Sequence, residues 1–399
     1  MSGAPPIRVL YLDHTARLSG GELALARLLM ALDRRRVEPI VALAEAGPLQ
    51  RLLEQQAIET HVLPLQEKLR NVRKDSLGLA GGLAQLAALG GLWRYARRVS
   101  RFARQRRVQL LYSNSLKADF YGALAARLAG VPIVWHIRDR IDEDYLPRPA
   151  VWLVRLLARH LPACVVANSR STLNTLQLGS GRRTAVIASG ITREHIERSW
   201  APRPGGTPRI GMIGRLAPWK GQDVFLEAAA RLLRAGVAAR FLIAGSAMFG
   251  EEAFERQLRT QAATLGLTEH VEFLGFSDVP DLLRSLNILV HASRTAEPFG
   301  QVIIEGMAAE LPVVASDGGG AREIIEHGRT GLLVPKGDAA ALADTLGGLL
   351  IQPERARALA AAGRRHVLEH FTVEQSARHS EALYEELVRV TYERHASVT

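Results

Sequence analysis

The chain has 399 residues, of which 47% are hydrophobic and 23% charged, with a formal net charge of +11. This composition is typical of a globular protein, it excludes a disordered chain and a collagen-like fibre, and the length favours two domains. The single cysteine, Cys164, excludes an internal disulfide and a cysteine-rich zinc site, and it favours a reducing compartment.

The first half of the chain alternates short apolar runs with longer segments of helical period. Residues 1–15 lack a charged segment followed by a long apolar run, so they predict no signal peptide and a cytoplasmic protein. The apolar runs predict strands at residues 7–12, 39–43, 109–113, 132–136, 164–168 and 184–188. This alternation is typical of a parallel sheet with helical connections.

The basic residues are concentrated in this half. Residues 1–200 carry 30 Lys and Arg against 16 Asp and Glu, whereas residues 201–399 carry 21 against 24. Residues 68–107, called the basic segment below, contain one acid, Asp75, and eleven basic side chains: Lys68, Arg70, Arg73, Lys74, Arg94, Arg97, Arg98, Arg101, Arg104, Arg106 and Arg107. Such a field attracts lipid headgroups, nucleic acid or a phosphorylated substrate.

An apolar stretch overlaps the basic segment. Residues 76–93 are rich in Leu, Ala and Gly and carry no charge, but they include five glycines and one glutamine. They are therefore weaker than a membrane-spanning helix. A loosely helical surface segment and a membrane contact both remain open.

The pattern restarts after a break. Residues 201–208, APRPGGTP, hold three prolines and two glycines, so they predict an interdomain linker between a first domain at 1–200 and a second at 209–372. Further strands are predicted at residues 209–214, 240–245, 271–275, 288–292, 312–316 and 331–335, and only helical periodicity follows from about residue 353. The predicted fold class is α/β, with two similar doubly wound domains.

Ligands bind at the carboxyl ends of parallel strands, which directs attention to GRLAPWKG at residues 214–221. Gly214 lets a ligand approach the backbone, and Arg215 and Lys220 place two cations beside a helix start, where a diphosphate is stabilised. The spacing is not that of a Walker A loop. Taken alone, the two cations could equally be solvated surface residues.

Two carboxylates follow a later strand. Glu297 lies in a loop that contains Pro298 and Gly300, and Glu305 lies in the helix after it. Both side chains accept hydrogen bonds from hydroxyls, and the free N–H groups at residues 300–302 point to the same place. This arrangement suits a polyol attached to a phosphate.

The segment 297–338 resembles the E-x7-E region of the retaining glycosyltransferases of the large GT-B family 4. Residues 214–221 resemble that family's diphosphate-binding motif, and SGGELALARL at 19–28 resembles its amino-terminal Gly-Gly loop. The three motifs occur in the family's order, each at a predicted strand end. The resemblance covers nearly the whole chain.

The resemblance implies roles for individual residues in donor binding. Arg215, Lys220 and Gly214 would hold the diphosphate of a nucleotide sugar, and Gly20 and Gly21 would close over it from the first domain. The other implied donor contacts are Glu297 with the sugar, Glu305 with the ribose, Phe276 near the base, and Phe299, Gly300, Gln301 and Val302 with sugar and phosphate.

The resemblance also implies a reacting centre of Glu297, His136, Arg215 and Lys220. His136 matches a family histidine near the transferred sugar, with an ordinary strand-end histidine as the alternative. Acceptor contacts are expected from Ser113, Asn114, Arg138 and Asp139, although Ser113 and Asn114 could instead cap a helix.

The implied architecture is GT-B: two Rossmann-like domains facing across a cleft, with residues 373–399 returning to the first domain as a helix. The implied reaction is transfer of a sugar with retention of configuration and without a metal or other cofactor. The chain departs from the family at Ser189-Gly190-Ile191-Thr192, where N-G-[VI]-[DN] is common. Asp142 and Asp144 form a D-x-D sequence, but without a preceding strand of its own it predicts a solvated acidic loop.

Several alternatives stay open at this point. A nucleotide-sugar epimerase or hydrolase and a sugar phosphorylase use the same fold, and a donor-binding protein without activity has the same motifs. A nucleic-acid-binding protein is disfavoured because no recognised nucleic-acid motif accompanies the charge. An NAD enzyme is disfavoured because no G-x-G-x-x-G follows the first strand.

The basic segment predicts where the protein works. A helix over residues 92–107 would carry Trp93, Tyr95, Val99 and Phe102 among seven arginines, a pattern typical of a helix lying on a membrane surface. The alternative is that these apolar side chains pack on their own domain. We expect a peripheral enzyme on the inner face of the cell membrane, acting on a glycan or a lipid-linked acceptor.

Overall fold

The computed structural model describes residues 5–66, 82–201, 205–247 and 250–396. Four members of the basic segment, Lys68, Arg70, Arg73 and Lys74, lie outside the described residues, as do residues 76–81, 202–204 and 397–399. The chain forms two units, Met1–Gly190 with Val373–Thr399, and Ile191–Thr372.

The first unit is built on a seven-stranded parallel sheet in the order β3-β2-β1-β4-β5-β6-β7. The strands are β1 (Ile7–Asp13), β2 (Val37–Leu43), β3 (Glu59–Val62), β4 (Leu110–Ser113), β5 (Ile133–Ile137), β6 (Cys164–Ala167) and β7 (Thr184–Val186). β1 pairs with both β2 and β4, which makes it the centre of the doubly wound arrangement.

Helices cover both faces of this sheet. The helices are α1 (Gly20–Ala31), α2 (Pro48–Gln55), α3 (Gly82–Gln105), α4 (Leu116–Ala129), α5 (Arg148–His160), α6 (Arg170–Thr175) and, at the carboxyl terminus, α15 (Val373–Ala396). Helices α3, α4 and α5 share one apolar core with the sheet, and α1, α2 and α15 share another on the opposite face. Both faces are therefore buried, as a parallel sheet requires.

The second unit repeats the plan with six parallel strands in the order β10-β9-β8-β11-β12-β13. Its strands are β8 (Arg209–Ile213), β9 (Arg240–Ala244), β10 (Val271–Gly275), β11 (Ile288–His291), β12 (Val313–Ser316) and β13 (Leu332–Val334). Its helices are α7 (Arg193–Ser199), α8 (Gln222–Arg234), α9 (Glu252–Thr264), α10 (Val279–Ser285), α11 (Gln301–Ala308), α12 (Ala321–Ile324), α13 (Ala339–Ile351) and α14 (Pro353–His370).

The boundary between the units differs from the sequence prediction. The second unit begins at Ile191 instead of following a linker at 201–208, because α7 packs on α10 and α11 of that unit. Ile191 also pairs with Thr372, the last residue of the unit, in an isolated parallel bridge. Thr192, where the family often has Asp or Asn, caps α7 by accepting a hydrogen bond from the N–H of His195.

The carboxyl-terminal helix α15 belongs to the first unit and packs against α1. Its Tyr384 is fully buried against Tyr11 of β1 and Tyr112 of β4, with ring centroids 6.3 and 5.9 Å away. None of the described helices combines the length and the apolar character needed to cross a bilayer.

The α/β class with two doubly wound sheets is confirmed, and all twelve predicted apolar runs form strands. β3 was missed because ETHV is short and only half-buried.

The prediction for the apolar side chains of α3 was largely wrong. Tyr95 and Val99 are buried, and Tyr95 donates a hydrogen bond to the carbonyl of Leu63. Phe102 packs against His61. Of the four side chains expected to meet a membrane, Trp93 is the exposed one, at 45%.

Candidate functional site

Glycines end three neighbouring strands of the second sheet. Gly214 follows β8, Gly245 follows β9, and Gly275 ends β10. The N–H of Gly214 donates to the carbonyl of Ala244, and the N–H of Gly245 donates to that of Gly275. A Cβ on Gly245 would lie 2.0 Å from the carbonyl oxygen of Gly214, so another residue there would push the two backbones apart. These tight turns leave the carboxyl edge of the sheet open to a ligand.

A second close backbone contact positions Lys220. The 3₁₀ turn Pro218–Lys220 ends at Gly221, whose φ is +79°. A Cβ on Gly221 would lie 2.0 Å from the carbonyl oxygen of Ala292, directly after β11. The positive φ and the close contact both require glycine at position 221. This contact brings the turn against the loop that carries Glu297.

Lys220 and Glu297 form a largely buried ion pair. The Lys220 Nζ lies 2.7 Å from Glu297 Oε1, and the two side chains are 17% and 11% exposed. Burial by itself raises the pKa of Glu297, but the Lys220 ammonium and the hydrogen bond with His291 outweigh it and hold that pKa well below its usual range. Glu297 is therefore ionised at neutral pH.

The other carboxylate oxygen of Glu297 is held by two residues that the sequence analysis missed. Ser293 Oγ donates to Glu297 Oε2 at 2.8 Å, and His291 Nε2 lies 3.3 Å from the same atom. The only sequence signal for either residue was its place at the end of the predicted strand 288–292, next to the loop of Glu297.

The backbone of the Glu297 loop rests on a run of glycines. The N–H of Gly320 donates to the carbonyl of Glu297 at 2.9 Å. A Cβ on Gly319 would lie 2.1 Å from the Glu297 carbonyl oxygen, and one on Gly320 would lie 2.2 Å from that of Phe299. Gly319 and Gly320 therefore let the chain pack directly against the backbone of the Glu297 loop. The sequence analysis did not predict this role.

The start of α11 supplies the remaining groups of this edge. Gly300 precedes the helix with a φ of +109°, and Gln301 and Val302 occupy its first turn with N–H groups that have no partner inside the helix. Glu305 lies one turn further along and is buried, with its Oε1 3.4 Å from Gln301 Nε2. The buried Phe299 ring packs against Phe371 and leaves its backbone at the helix start.

Arg215 and Phe276 also lie just after strands of the second sheet, β8 and β10. Arg215 Nη1 lies 3.6 Å from Glu251 Oε2, and its guanidinium stands 5.8 Å from the centre of the Trp219 ring. Phe276 follows β10 and is 92% exposed. A large aromatic ring in that position offers a flat surface to a planar ligand.

In the first unit, Gly20 and Gly21 form the first turn of α1 instead of a loop. Nothing lies within 4 Å of a Cβ built on Gly20, and one on Gly21 would meet the side chain of Arg138 at 3.4 Å. Their N–H groups belong to a helix amino terminus, which favours an anion.

A chain of polar side chains links four strand ends of the first sheet. Asn114 donates to Asp13 Oδ2 at 2.7 Å and accepts from Arg138 Nε at 2.7 Å. Arg138 Nη1 donates in turn to Ser189 Oγ at 3.1 Å. Burial lowers the pKa of Arg138, and nearby acids, including Glu22 and Asp13, oppose that effect. Of these residues the sequence analysis missed Asp13 and Glu22.

The structure corrects two roles proposed for β4. Ser113 is fully buried, and its hydroxyl donates to Asp119 and to the Val134 carbonyl, so it does not reach an acceptor. Asn114 does not cap α4, because the cap position belongs to Ser115.

His136 and Asp139 lie on either side of Arg138. His136 is buried and hydrogen-bonded through Nδ1 to the Tyr112 hydroxyl. Burial, and then the Arg138 charge, lower its pKa well below the usual range, so the ring is neutral. Asp139 accepts a hydrogen bond from the Tyr145 hydroxyl at 2.7 Å.

The acidic loop 142–144 is compensated by arginines. Arg140 Nη2 lies 3.1 Å from Asp142 and 3.7 Å from Asp144, and Arg148 pairs with Glu143 at 2.8 Å. Within the described ranges, no three His, Cys, Asp or Glu side chains are grouped so as to hold a metal ion. The absence of a metal requirement stays a prediction.

Comparison with known proteins identifies the family. The profile for "Glycosyl transferase 4-like domain" matches residues 19–190, and that for "Glycosyl transferases group 1" matches residues 194–366. The chain belongs to the group 1 glycosyltransferases. The resemblance to family 4 is thereby confirmed, and the named relatives give no support to an epimerase or a phosphorylase.

The individual relatives differ in how much of this chain they match. The lipopolysaccharide core mannosyltransferase LpsB of Rhizobium meliloti is 33% identical over 45% of this chain and 52% of its own length. The 2-deoxystreptamine glucosyltransferase of Streptomyces kanamyceticus is 27% identical over 70% of this chain and 77% of its own length. The chain spans about half the length of the first curated relatives that it matches.

Solved structures support the GT-B fold. Anabaena HepE, determined in complex with UDP and glucose, superposes with a TM-score of 0.80 and 28% identity over 94% of this chain and 99% of its own. Sucrose-phosphate synthase from Thermosynechococcus elongatus, 19% identical, superposes with a TM-score of 0.77 over 96% of this chain and all of its own, which supports the fold alone.

The ion pair predicts how stability depends on pH. In Lys220→Met, burial dominates and raises the pKa of Glu297, so the folded carboxyl takes up a proton at a pH where the unfolded chain does not. The loss of unfolding free energy relative to the parent should be about 3 kcal/mol near pH 8 and should shrink toward about pH 5. Urea unfolding across this range measures it, with exposed Lys336→Met as control. A loss that does not vary with pH would contradict the expected rise in the pKa of Glu297 when the Lys220 charge is removed.

Proposed function

We propose that the protein is a retaining glycosyltransferase that moves a sugar from a nucleotide-sugar donor to a glycan or lipid-linked acceptor. The observation that carries the proposal is the Lys220–Glu297 pair, 2.7 Å apart at the carboxyl edge of the second sheet, beside the free N–H groups of α11. A cation, a carboxylate and a helix start in one place suit a phosphate joined to a polyol. HepE, 28% identical over its full length, was crystallised with UDP-glucose, which supports the choice of donor class.

The donor's parts are assigned to particular groups. Arg215, Lys220 and the N–H groups of Gln301 and Val302 meet the diphosphate, with Gly214 giving the backbone room to approach. Glu305 accepts hydrogen bonds from the ribose hydroxyls. The remaining contacts are Glu297 with the donor sugar, Phe276 with the base, and the backbone at Phe299 and Gly300 with sugar and phosphate.

The chemistry follows from stabilising the leaving group. The bond between the anomeric carbon and the diphosphate oxygen breaks, and negative charge grows on that oxygen near Arg215, Lys220 and the helix start. The acceptor oxygen bonds to the anomeric carbon on the same face, and its proton passes to the departing phosphate. Because these groups already supply positive charge, the reaction needs no metal ion.

The acceptor is assigned to the first unit. Gly20 and Gly21 contribute a helix amino terminus that favours an anion, and His136, Arg138 and Asp139 lie at the end of β5. His136 is neutral, so it can serve as a hydrogen-bond donor to a sugar hydroxyl without adding charge. The four-strand polar chain around Arg138 fixes the position of these groups.

The diphosphate clamp is tested by Arg215→Ala and Lys220→Ala. Each removes a charge-assisted contact worth about 1.5–3 kcal/mol, so turnover should fall roughly ten- to a few hundredfold while the fold survives. Slow hydrolysis of a donor chosen by thermal shift from a panel of nucleotide sugars measures turnover. Arg357→Ala, which breaks an exposed ion pair with Glu354, should have no effect. Full activity in a folded Arg215→Ala variant would argue against the assignment.

Metal independence and stereochemistry are tested in one reaction. Transfer followed by NMR should proceed at the same rate with and without EDTA, because fixed cations meet the leaving group. The product should keep the donor's anomeric configuration. Loss of transfer in EDTA with rescue by manganese would redirect attention to Asp142 and Asp144, and an inverted product would exclude the proposed mechanism.

The basic segment is assigned to an anionic membrane surface on the inner face of the cell membrane. Arg94, Arg97, Arg98 and Arg101 are exposed, and none of them pairs with a carboxylate within the part of the chain that the structure describes. Arg97 also stacks 4.4 Å above the Trp93 ring. Each such charge contributes on the order of 1 kcal/mol near anionic lipid.

Charge reversal tests this assignment. The variant Arg97→Glu, Arg101→Glu, Arg104→Glu should lose most of its low-salt cosedimentation with anionic vesicles, and the parent should lose the same binding at high salt. A control of equal charge reverses Arg355, Arg357 and Arg365, exposed on α14 of the second unit. Equal binding by parent and α3 variant would favour a soluble acceptor and another location.

A further inference from the structure

Helix α5 presents apolar side chains to solvent. Trp152 is 65% exposed and Leu153 is 41% exposed, although both occupy the middle of a regular helix. The opposite face of α5, which includes Val151 and Val154, is buried in the core of the first unit. The domain therefore does not need Trp152 and Leu153 for its own packing.

Two apolar side chains of α3, which packs on the same face of the sheet as α5, are also exposed. Leu89 is 62% exposed and Trp93 is 45% exposed. Helices α3 and α5 pack on one face of the sheet, and each connects parallel strands, so each begins near the carboxyl edge. Trp152 and Leu153 lie in the first half of α5, as Leu89 and Trp93 do in α3. We call these four side chains the apolar rim.

The uncompensated charges on these two helices are positive. Helix α5 contains no acidic residue, and the acids just before it, Asp142, Glu143 and Asp144, are paired with Arg140 and Arg148. The neighbouring arginines of α3 lack such partners among the described residues. Exposed apolar side chains on a layer of helices that also carries excess positive charge match the interface of an anionic bilayer, where indole rings and arginines are both stabilised.

We propose that the apolar rim enters the interface of an anionic membrane, with Trp152 and Leu153 of α5 and Leu89 and Trp93 of α3 supplying the apolar contact and the arginines of α3 the charge. The proposal rests on the proposed membrane assignment of the basic segment and adds an apolar contact, including that of a second helix, to it. A second copy of the chain is disfavoured as the occupant, because symmetric pairing would bring two sets of unpaired arginines together.

This contact orients the first unit. The rim residues lie in the first halves of two helices that begin on the side of the carboxyl edge of the sheet, the edge that also carries Asn114 and Arg138. A lipid-linked acceptor could then keep its lipid in the bilayer while its headgroup meets that edge. Apolar insertion therefore does more than add affinity: it selects which edge of the sheet faces the membrane.

The test measures vesicle binding of Trp152→Ser, Leu153→Ser over a series of salt concentrations, with vesicles of phosphatidylglycerol and phosphatidylcholine. Binding should weaken about tenfold or more at every salt concentration, because apolar area is lost. Its dependence on salt should match the parent's, since no charge changes. The α3 charge-reversal variant should instead show a weaker salt dependence, so the two assignments fail separately. Donor hydrolysis without vesicles should be unchanged.

The matched control is Trp200→Ser, which removes a 47% exposed tryptophan from the second unit. It should bind vesicles as the parent does. In the parent, brominated lipids should quench a fluorescence component that Trp152→Phe removes. Unchanged binding by the double variant, equal weakening by Trp200→Ser, or a parent dimer that the double variant abolishes would each overturn the proposal.

Discussion

The carboxyl edge of the second unit depends on keeping Lys220 and Glu297 charged in a largely buried place. Removing two ions from water costs several kcal/mol each, and one hydrogen bond to each does not offset this cost. The structure supplies the rest: Ser293 and His291 hold the second carboxylate oxygen, and Gly221, Gly319 and Gly320 let three backbone segments meet closely enough to fix the pair. A bound phosphate would offer Lys220 a second anion, and sugar hydroxyls would offer Glu297 new donors. The pair therefore holds a positive and a negative group in fixed positions before a ligand binds.

In the first unit, neutral side chains hold the guanidinium of Arg138 in place. Arg138 has Asn114 and Ser189 as direct partners, and the carboxylates of Asp13 and Glu22 act on it without a direct ion pair. A guanidinium held by neutral oxygens keeps more of its field than one paired with a carboxylate. Arg138 should therefore attract an anionic group more strongly than its burial suggests, whereas Lys220 must share its charge with Glu297.

The sequence predicted most of the architecture because parallel strands buried on both faces form continuous apolar runs. It missed β3, whose residues are only half-buried, and placed the domain boundary at a Pro-Gly segment although α7 already packs on the second unit. Motifs found Lys220, Glu297 and Glu305, but not the ion pair, since that contact joins residues 77 positions apart. Ser113 and Tyr95 were misassigned for one reason: periodicity shows that a side chain lies on a given face, but not which neighbour covers it.

The arginines of the chain fall into two groups, those paired with carboxylates and those exposed to solvent. Arginines near functional edges are mostly compensated: Arg140 by Asp142, Arg148 by Glu143, and Arg294 by Asp223. Those on the outward face of α3 project into solvent, where a partner carboxylate would gain little. The excess positive charge of the first half therefore lies mainly on the protein surface and not at the candidate site. A substrate phosphate binds one or two cations, so it does not account for a row of them along a helix. The proposed anionic membrane surface would account for such a row, because every charge in it can face an extended surface at once.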